Sequence, residues 1–192
     1  MKRNHFIASV LTLATTPFLS FSQFQIANQE KEDGFRVRAG EGRKHGHLKL
    51  KENILDVKIA GSDTNESLFI FEQTWFNSGT GTPLHLHYNQ DEIFYVIEGA
   101  YYFQVGDEKY QLQQGDSIFL PRKVPHSWIQ VSEKGKMIIT LQPAGMFENF
   151  LLTVAALDHV PTPAEAAKMF TDHEMEIVGP PLDILGMKPM ID

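Results

Sequence analysis

From residue 35 to residue 142 the sequence is cut into short apolar or alternating runs. That punctuation restricts the fold more than any other feature. Asn53–Ile59, Ser67–Phe76, Glu92–Ile97, Tyr101–Val105, Ser117–Leu120, Ser127–Val131 and Lys136–Leu141 are each of strand length. The segments between them, among them AGSDTN, NSGTGTP, GDEK, QQGD, PRKVP and SEKG, are dense in turn formers. Short strands so closely spaced, with no helix between them, imply an all-β antiparallel barrel or sandwich.

The pattern changes at both ends. After residue 145, Phe147, Phe150, Leu151 and Val154 fall at i, i+3, i+4 and i+7, the stripe of a helix. Thr162-Pro163-Ala164-Glu165 reads as a capping box with proline at the first helical position, so a second short helix is expected from Pro163. Gly179-Pro180-Pro181 is expected to end regular structure. At the N-terminus, Lys2 and Arg3 precede a mostly apolar, uncharged run from Phe6 to Leu19, and Ser20-Phe21-Ser22 offers small residues for cleavage. This is the pattern of a secretory signal peptide, and the run is short and broken by Pro17. The expected organisation is therefore a signal peptide over 1–22, a linker over 23–34, a β-barrel over 35–145 and a helical extension over 146–192. Export would make the protein periplasmic or secreted.

With 192 residues the chain suits one domain with a sizeable core. A formal net charge of −7 argues against a nucleic-acid partner, because phosphate binding needs a basic surface. No apolar run long enough to span a membrane follows the N-terminal segment, so no membrane association is expected after its removal. The sequence contains no cysteine, which excludes disulfides, thiolate metal ligands and a thiol nucleophile.

The chemistry is concentrated in two stretches. The first runs Gly79-x5-His85-x-His87-x4-Glu92-x6-Gly99, the second Gly115-x5-Pro121-x4-His126. On a strand, His85 and His87 project to the same face. A short loop can bring Glu92 beside them, and His126, after the rigid Pro121–Pro125 turn, can reach the same point from across the barrel. Imidazole nitrogen and carboxylate oxygen suit one divalent first-row metal: Mn, Fe, Co, Ni, Cu or Zn. Three histidines and one carboxylate leave positions for water, dioxygen or a chelating substrate. A second pair, His45-Gly46-His47, has no carboxylate cue nearby and reads as surface histidines.

The first stretch resembles the first motif of the cupin superfamily at Gly79, His85, His87, Glu92 and Gly99, and the second resembles the second motif at Gly115, Pro121 and His126. The resemblance implies an all-β cupin double-stranded β-helix (jelly-roll) barrel with short C-terminal helices and the metal held by His85, His87, Glu92 and His126. Two positions depart from the usual pattern. Lys123 stands in place of glycine, at a cost of about 1 kcal/mol if that position needs a positive φ. Gln130 stands in place of asparagine. HLHYNQDEIFYVIEG, LPRKVPHSWIQ, LQPAGMFENF and a late GPPL are similar to bacterial single-cupin proteins related to quercetin 2,3-dioxygenase.

That likeness implies a metal-dependent dioxygenase acting on an aromatic or enol-type substrate, with dioxygen as co-substrate. Glu92 is then the candidate proton acceptor. Phe94 shares the strand parity of Glu92 and Trp128 that of His126, and with Tyr102 and Phe103 they are the candidate substrate-binding aromatics. The alternative is a metal-binding cupin that isomerises or binds a sugar or small carboxylate. Arg122 and Lys123 are the basic residues nearest a ligand for that reading. A non-catalytic cupin would be expected to have lost ligands, and all four are present. The likeness also implies a homodimer, formed through strands that precede the barrel between residues 35 and 50.

Overall fold

Alternation of apolar and polar side chains builds two antiparallel sheets. The computed structural model describes residues 33–183, and the signal-peptide and most of the linker expectations lie outside them. One sheet has the strand order β1-β2-β3-β10-β5-β8, with β1 His47–Leu50, β2 Asn53–Ile59, β3 Phe69–Trp75, β10 Gly135–Gln142, β5 Asp91–Glu98 and β8 Ser117–Leu120. The other has the order β11-β4-β9-β6-β7, with β11 Met175–Pro181, β4 Pro83–His87, β9 His126–Gln130, β6 Ala100–Val105 and β7 Glu108–Gln113. Helices α1 (Phe147–Ala155) and α2 (Pro163–Asp172) follow β10. This is the jelly-roll architecture expected of the sequence.

The inward residues follow the period of two. On β5, Glu92, Phe94 and Val96 are buried while Ile93 and Tyr95 are exposed. On β10, Met137, Ile139 and Leu141 are fully buried. They meet Phe69 and Phe71 from β3 in the middle of the sheet. The turns rely on left-handed backbone where the chain crowds. Gly99 has φ +92°, and a Cβ there would lie 2.7 Å from the Lys134 carbonyl. Lys123 also has positive φ, +65°, so the departure from glycine is real backbone strain. Its amide donates to the His87 carbonyl at 2.7 Å, which ties the turn before β9 to the end of β4.

The C-terminal segment corrects one expectation. Gly179-Pro180-Pro181 ends regular structure among the described residues, but from inside it: it forms the last part of β11, an edge strand paired antiparallel with β4. Proline is tolerated there because an edge strand has one side with no ladder to feed. The second helix starts where its capping box places it. Thr162 Oγ1 accepts from the Glu165 amide, and the Glu165 carboxylate accepts from the Thr162 amide. Phe147 and Leu151 of α1 and Phe170 of α2 are buried against the sheets, so both helices lie against the core.

Candidate metal centre

Strand parity and register bring the four predicted ligands together. His85 and His87 share the inner face of β4, and His85 stands opposite His126 of β9 in register. Glu92 enters from β5 of the other sheet. One donor atom from each of the four lies within 4.8 Å of every other, and all four side chains are buried. Glu92 Oε2 is 2.9 Å from His126 Nε2 and 3.5 Å from His87 Nε2.

The outer nitrogens fix the tautomers. His85 Nδ1 donates to the Pro83 carbonyl at 2.9 Å, His126 Nδ1 to the Val124 carbonyl at 3.0 Å, and His87 Nδ1 to Gln90 Oε1 at 3.1 Å. Gln90 is itself anchored, its Nε2 donating to the Ala144 carbonyl at 2.6 Å. Each Nδ1 carries its proton outward, so each Nε2 presents a lone pair to the centre. The Nε2 atoms of His87 and His126 are buried and have no hydrogen-bond partner. Imidazole nitrogens converging with a carboxylate make a donor set for a cation. Four such donors within 4.8 Å of one another suit a divalent first-row metal.

The electrostatics agree. Burial, reinforced by His126 and His87, pushes His85 down to about 3, and burial also pulls His87 below its usual value. For Glu92 burial opposes ionisation, but His87 and the close approach of His126 outweigh it and hold the carboxyl at about 2. His85 and His87 are thus neutral and Glu92 ionised at physiological pH, the protonation states that ligands need.

A cavity of about 130 Å³ opens beside the cluster. His85 and Glu92 form part of its wall, and Trp128, Phe71, Phe147 and Leu151 are among its apolar lining. The two helices close over the histidines: Phe147 packs on His87 with ring centroids 5.5 Å apart, and Phe170 packs edge-on to His85 at 5.3 Å. A second hollow of about 420 Å³, bounded by Lys51, Asn77, Val154 and Pro161, shares Leu50 and Trp75 with the first.

The other sequence candidates are distributed unevenly. Trp128 lines the cavity. Phe94 and Phe103 pack on each other in the core with centroids 5.2 Å apart, and Tyr102 lies on the opposite face of β6 from Tyr101 and Phe103. Asp91 and Arg122 form a two-pronged pair, with Arg122 Nε and one terminal nitrogen 3.1 and 2.7 Å from the carboxylate oxygens. Gln130 is fully buried, and its Nε2 donates to the Ser132 carbonyl at 2.9 Å. His45 and His47 do not converge: they pair separately with Glu148 and Asp56. Missed from the sequence were Gln90, which orients His87, and the cavity residues Phe71, Gln73, Trp75, Phe147, Phe150 and Leu151. The parity of β3 and the stripe of α1 mark most of these as inward, but not as neighbours of the metal cluster.

Comparison with known proteins agrees with the geometry. The cupin domain family matches residues 75–141, which include all four ligands. Quercetin 2,3-dioxygenase of Bacillus subtilis is 24% identical over 136 residues, 70% of this chain and 39% of that protein. An uncharacterised protein of Methanocaldococcus jannaschii is 42% identical over 48 residues, 25% of this chain and 38% of that one. The chain thus aligns with well under half the length of these curated relatives. Among solved structures, an RmlC-like cupin from Shewanella frigidimarina has a TM-score of 0.47 at 21% identity, covering 58% of this chain and 92% of that one. Motif, domain match and two-sheet architecture coincide on the same residues, and the chain carries a cupin domain over residues 75–141.

Proposed function

We propose that this cupin is a metal-dependent dioxygenase acting on an aromatic or enol-type substrate. The observation that carries the reading is the convergence of His85, His87, Glu92 and His126 beside a mostly apolar cavity, with His85 and Glu92 in its wall. A divalent metal, when bound there, supplies Lewis acidity and places for a substrate oxygen and dioxygen. The protein's own contribution is to hold three imidazoles and one ionised carboxylate in place and to keep bulk water out with Phe147, Phe150 and Leu151. Glu92 is the proton acceptor in this reading. Its low pKa suits a ligand first, so it takes the substrate's proton only as its hold on the centre loosens. The inner cavity lies below the ~300 Å³ lower end of pockets for drug-sized ligands. The reacting enol therefore occupies it, and the rest of any larger substrate, a flavonol included, extends into the adjoining hollow.

A sugar or carboxylate substrate would need a free cation at the mouth. Arg122, one of the two basic residues nearest a ligand, is committed to Asp91, which leaves Lys123 to serve the isomerase or binding-protein alternative. Two further elements belong to the same proposal: export through the N-terminal segment, and a homodimer formed through the segment between residues 35 and 50. The test is oxygen uptake by metal-loaded protein over a panel of flavonols, catechols and smaller enols, with Glu92→Gln as control. Uptake that is lost in the variant supports the reading. No uptake with any member of the panel overturns it and moves the protein to the isomerase class.

A further inference from the structure

Buried polar atoms almost always find partners, so the exceptions point to something missing. Among the described residues five buried side-chain nitrogens and oxygens have none. Two are the Nε2 atoms of His87 and His126, which face the metal position. One is Gln130 Oε1. The remaining two, Gln73 Nε2 and Trp75 Nε1, belong to residues that line the same cavity as His85 and Glu92.

Their setting makes the lack of partners costly. Gln73 is 4% exposed and projects from the inner face of β3. Its neighbours in register are Leu55 of β2 and Met137 of β10, both fully buried and apolar. An amide among such neighbours loses its hydration and gains nothing from packing that leucine would not supply. Trp75 packs edge-on to Trp128, with centroids 5.9 Å apart, and its indole nitrogen can only donate. Folding alone does not call for a pair of unpaired N–H groups on the wall of an apolar cavity.

We infer that Gln73 and Trp75 form a second polar pole of the cavity, which binds an acceptor oxygen of the substrate while another of its oxygens faces the His–His–Glu–His cluster. The inference rests on the reading of that cluster as the substrate's metal anchor, and it narrows the substrate class. The molecule, or the part of it that enters, is compact and apolar in the middle. It carries an ionisable enol or phenol at one end and a carbonyl or similar acceptor away from it. A substrate with all its oxygens at the metal end leaves the two donors unpaired and binds more weakly.

The protein provides its own reporter. Trp75 and Trp128 are the chain's two tryptophans and both line the cavity, so intrinsic fluorescence reads events there. The probes are 3,4-dihydroxybenzaldehyde and 4-methylcatechol, of similar size, which share the chelating pair and differ in the distal acceptor. Titrations use zinc-loaded protein, because zinc has no redox chemistry and binding is read without turnover. The wild type is expected to favour the aldehyde, and Gln73→Leu to shrink that preference about three- to tenfold, the worth of one ordinary hydrogen bond. Trp75→Phe, followed through Trp128, is expected to act in the same direction. Gln73→Leu should also melt no lower than wild type, because an amide with a buried, unpartnered nitrogen is replaced by an apolar side chain of similar size. An unchanged preference in both variants, with catechol binding intact, overturns the inference and leaves the metal anchor standing. Failure of either catechol to bind zinc-loaded wild type overturns the anchor and the inference with it.

Discussion

His85 and His126 stand opposite each other in the register of β4 and β9, with their rings 4.4 Å apart at the centroids. Backbone pairing therefore sets the spacing of two donors. Gln90 fixes a third, and β5 brings the carboxylate from the facing sheet. The site is held by strands rather than by loops, which gives it the precision that a preformed metal centre requires.

Gln90 is the support most open to test. Its amide accepts from His87 and donates to Ala144, and it is 1% exposed. Gln90→Ala releases the ring that it orients. Metal affinity, measured by competition with a chelating dye, should fall about 10–100-fold. Affinity equal to wild type would mean that strand geometry alone orients His87.

β11 is part of the sheet and not a tail. Met175 is fully buried opposite His87 in register. Met175→Ala should cost about 2–5 kcal/mol in a denaturant titration. A change within about 0.5 kcal/mol, the range of ordinary surface substitutions, would contradict the pairing.

Acid sensitivity should track the Arg43–Asp63 pair. The Arg43 guanidinium, hydrogen-bonded to both carboxylate oxygens at 2.8 Å, holds Asp63 at about 2. A carboxyl whose folded pKa is depressed stabilises the fold fully above its unfolded value. That contribution is lost as pH falls through the folded value. The stability difference between wild type and Arg43→Ala should be constant at neutral pH and shrink between about pH 4 and pH 2. Parallel acid-unfolding curves would show that the pair contributes nothing.

Lys123→Gly removes a side chain from a left-handed position, φ +65°. The expected gain is at most about 1 kcal/mol, since glycine's greater freedom in the unfolded chain offsets part of the relief. Thermal melts should show a rise of at most about 2–4 °C. A lower melting temperature would mean that the lysine side chain makes a stabilising contact that outweighs the strain.

The parts of this molecule that were legible in the sequence are those governed by short-range rules. Strand parity put His85 and His87 on one face and Glu92 with Phe94 and Val96 on another. The capping box placed the start of α2. The comparison of Lys123 with glycine located the left-handed turn. What escaped were features set by distant partners. β7 carries mostly exposed side chains and β11 carries two prolines, so neither reads as a strand until an edge position accounts for it. Parity marks Phe94, Phe103 and Trp128 as inward, but only the packing of α1 and β3 decides that Trp128 reaches the cavity while Phe94 and Phe103 pack on each other. Gln73 and Trp75 sit about ten residues before His85 and show no pattern that sets them apart from ordinary inward strand residues.

The central claim is that the four buried side chains form one metal site. The direct measurement is metal content per chain in tag-free protein reconstituted with a single first-row divalent metal, for wild type and His126→Ala. Wild type should hold about one equivalent and the variant less than about a tenth, with an unchanged far-ultraviolet circular dichroism spectrum. Equal metal content in the two proteins would contradict the claim.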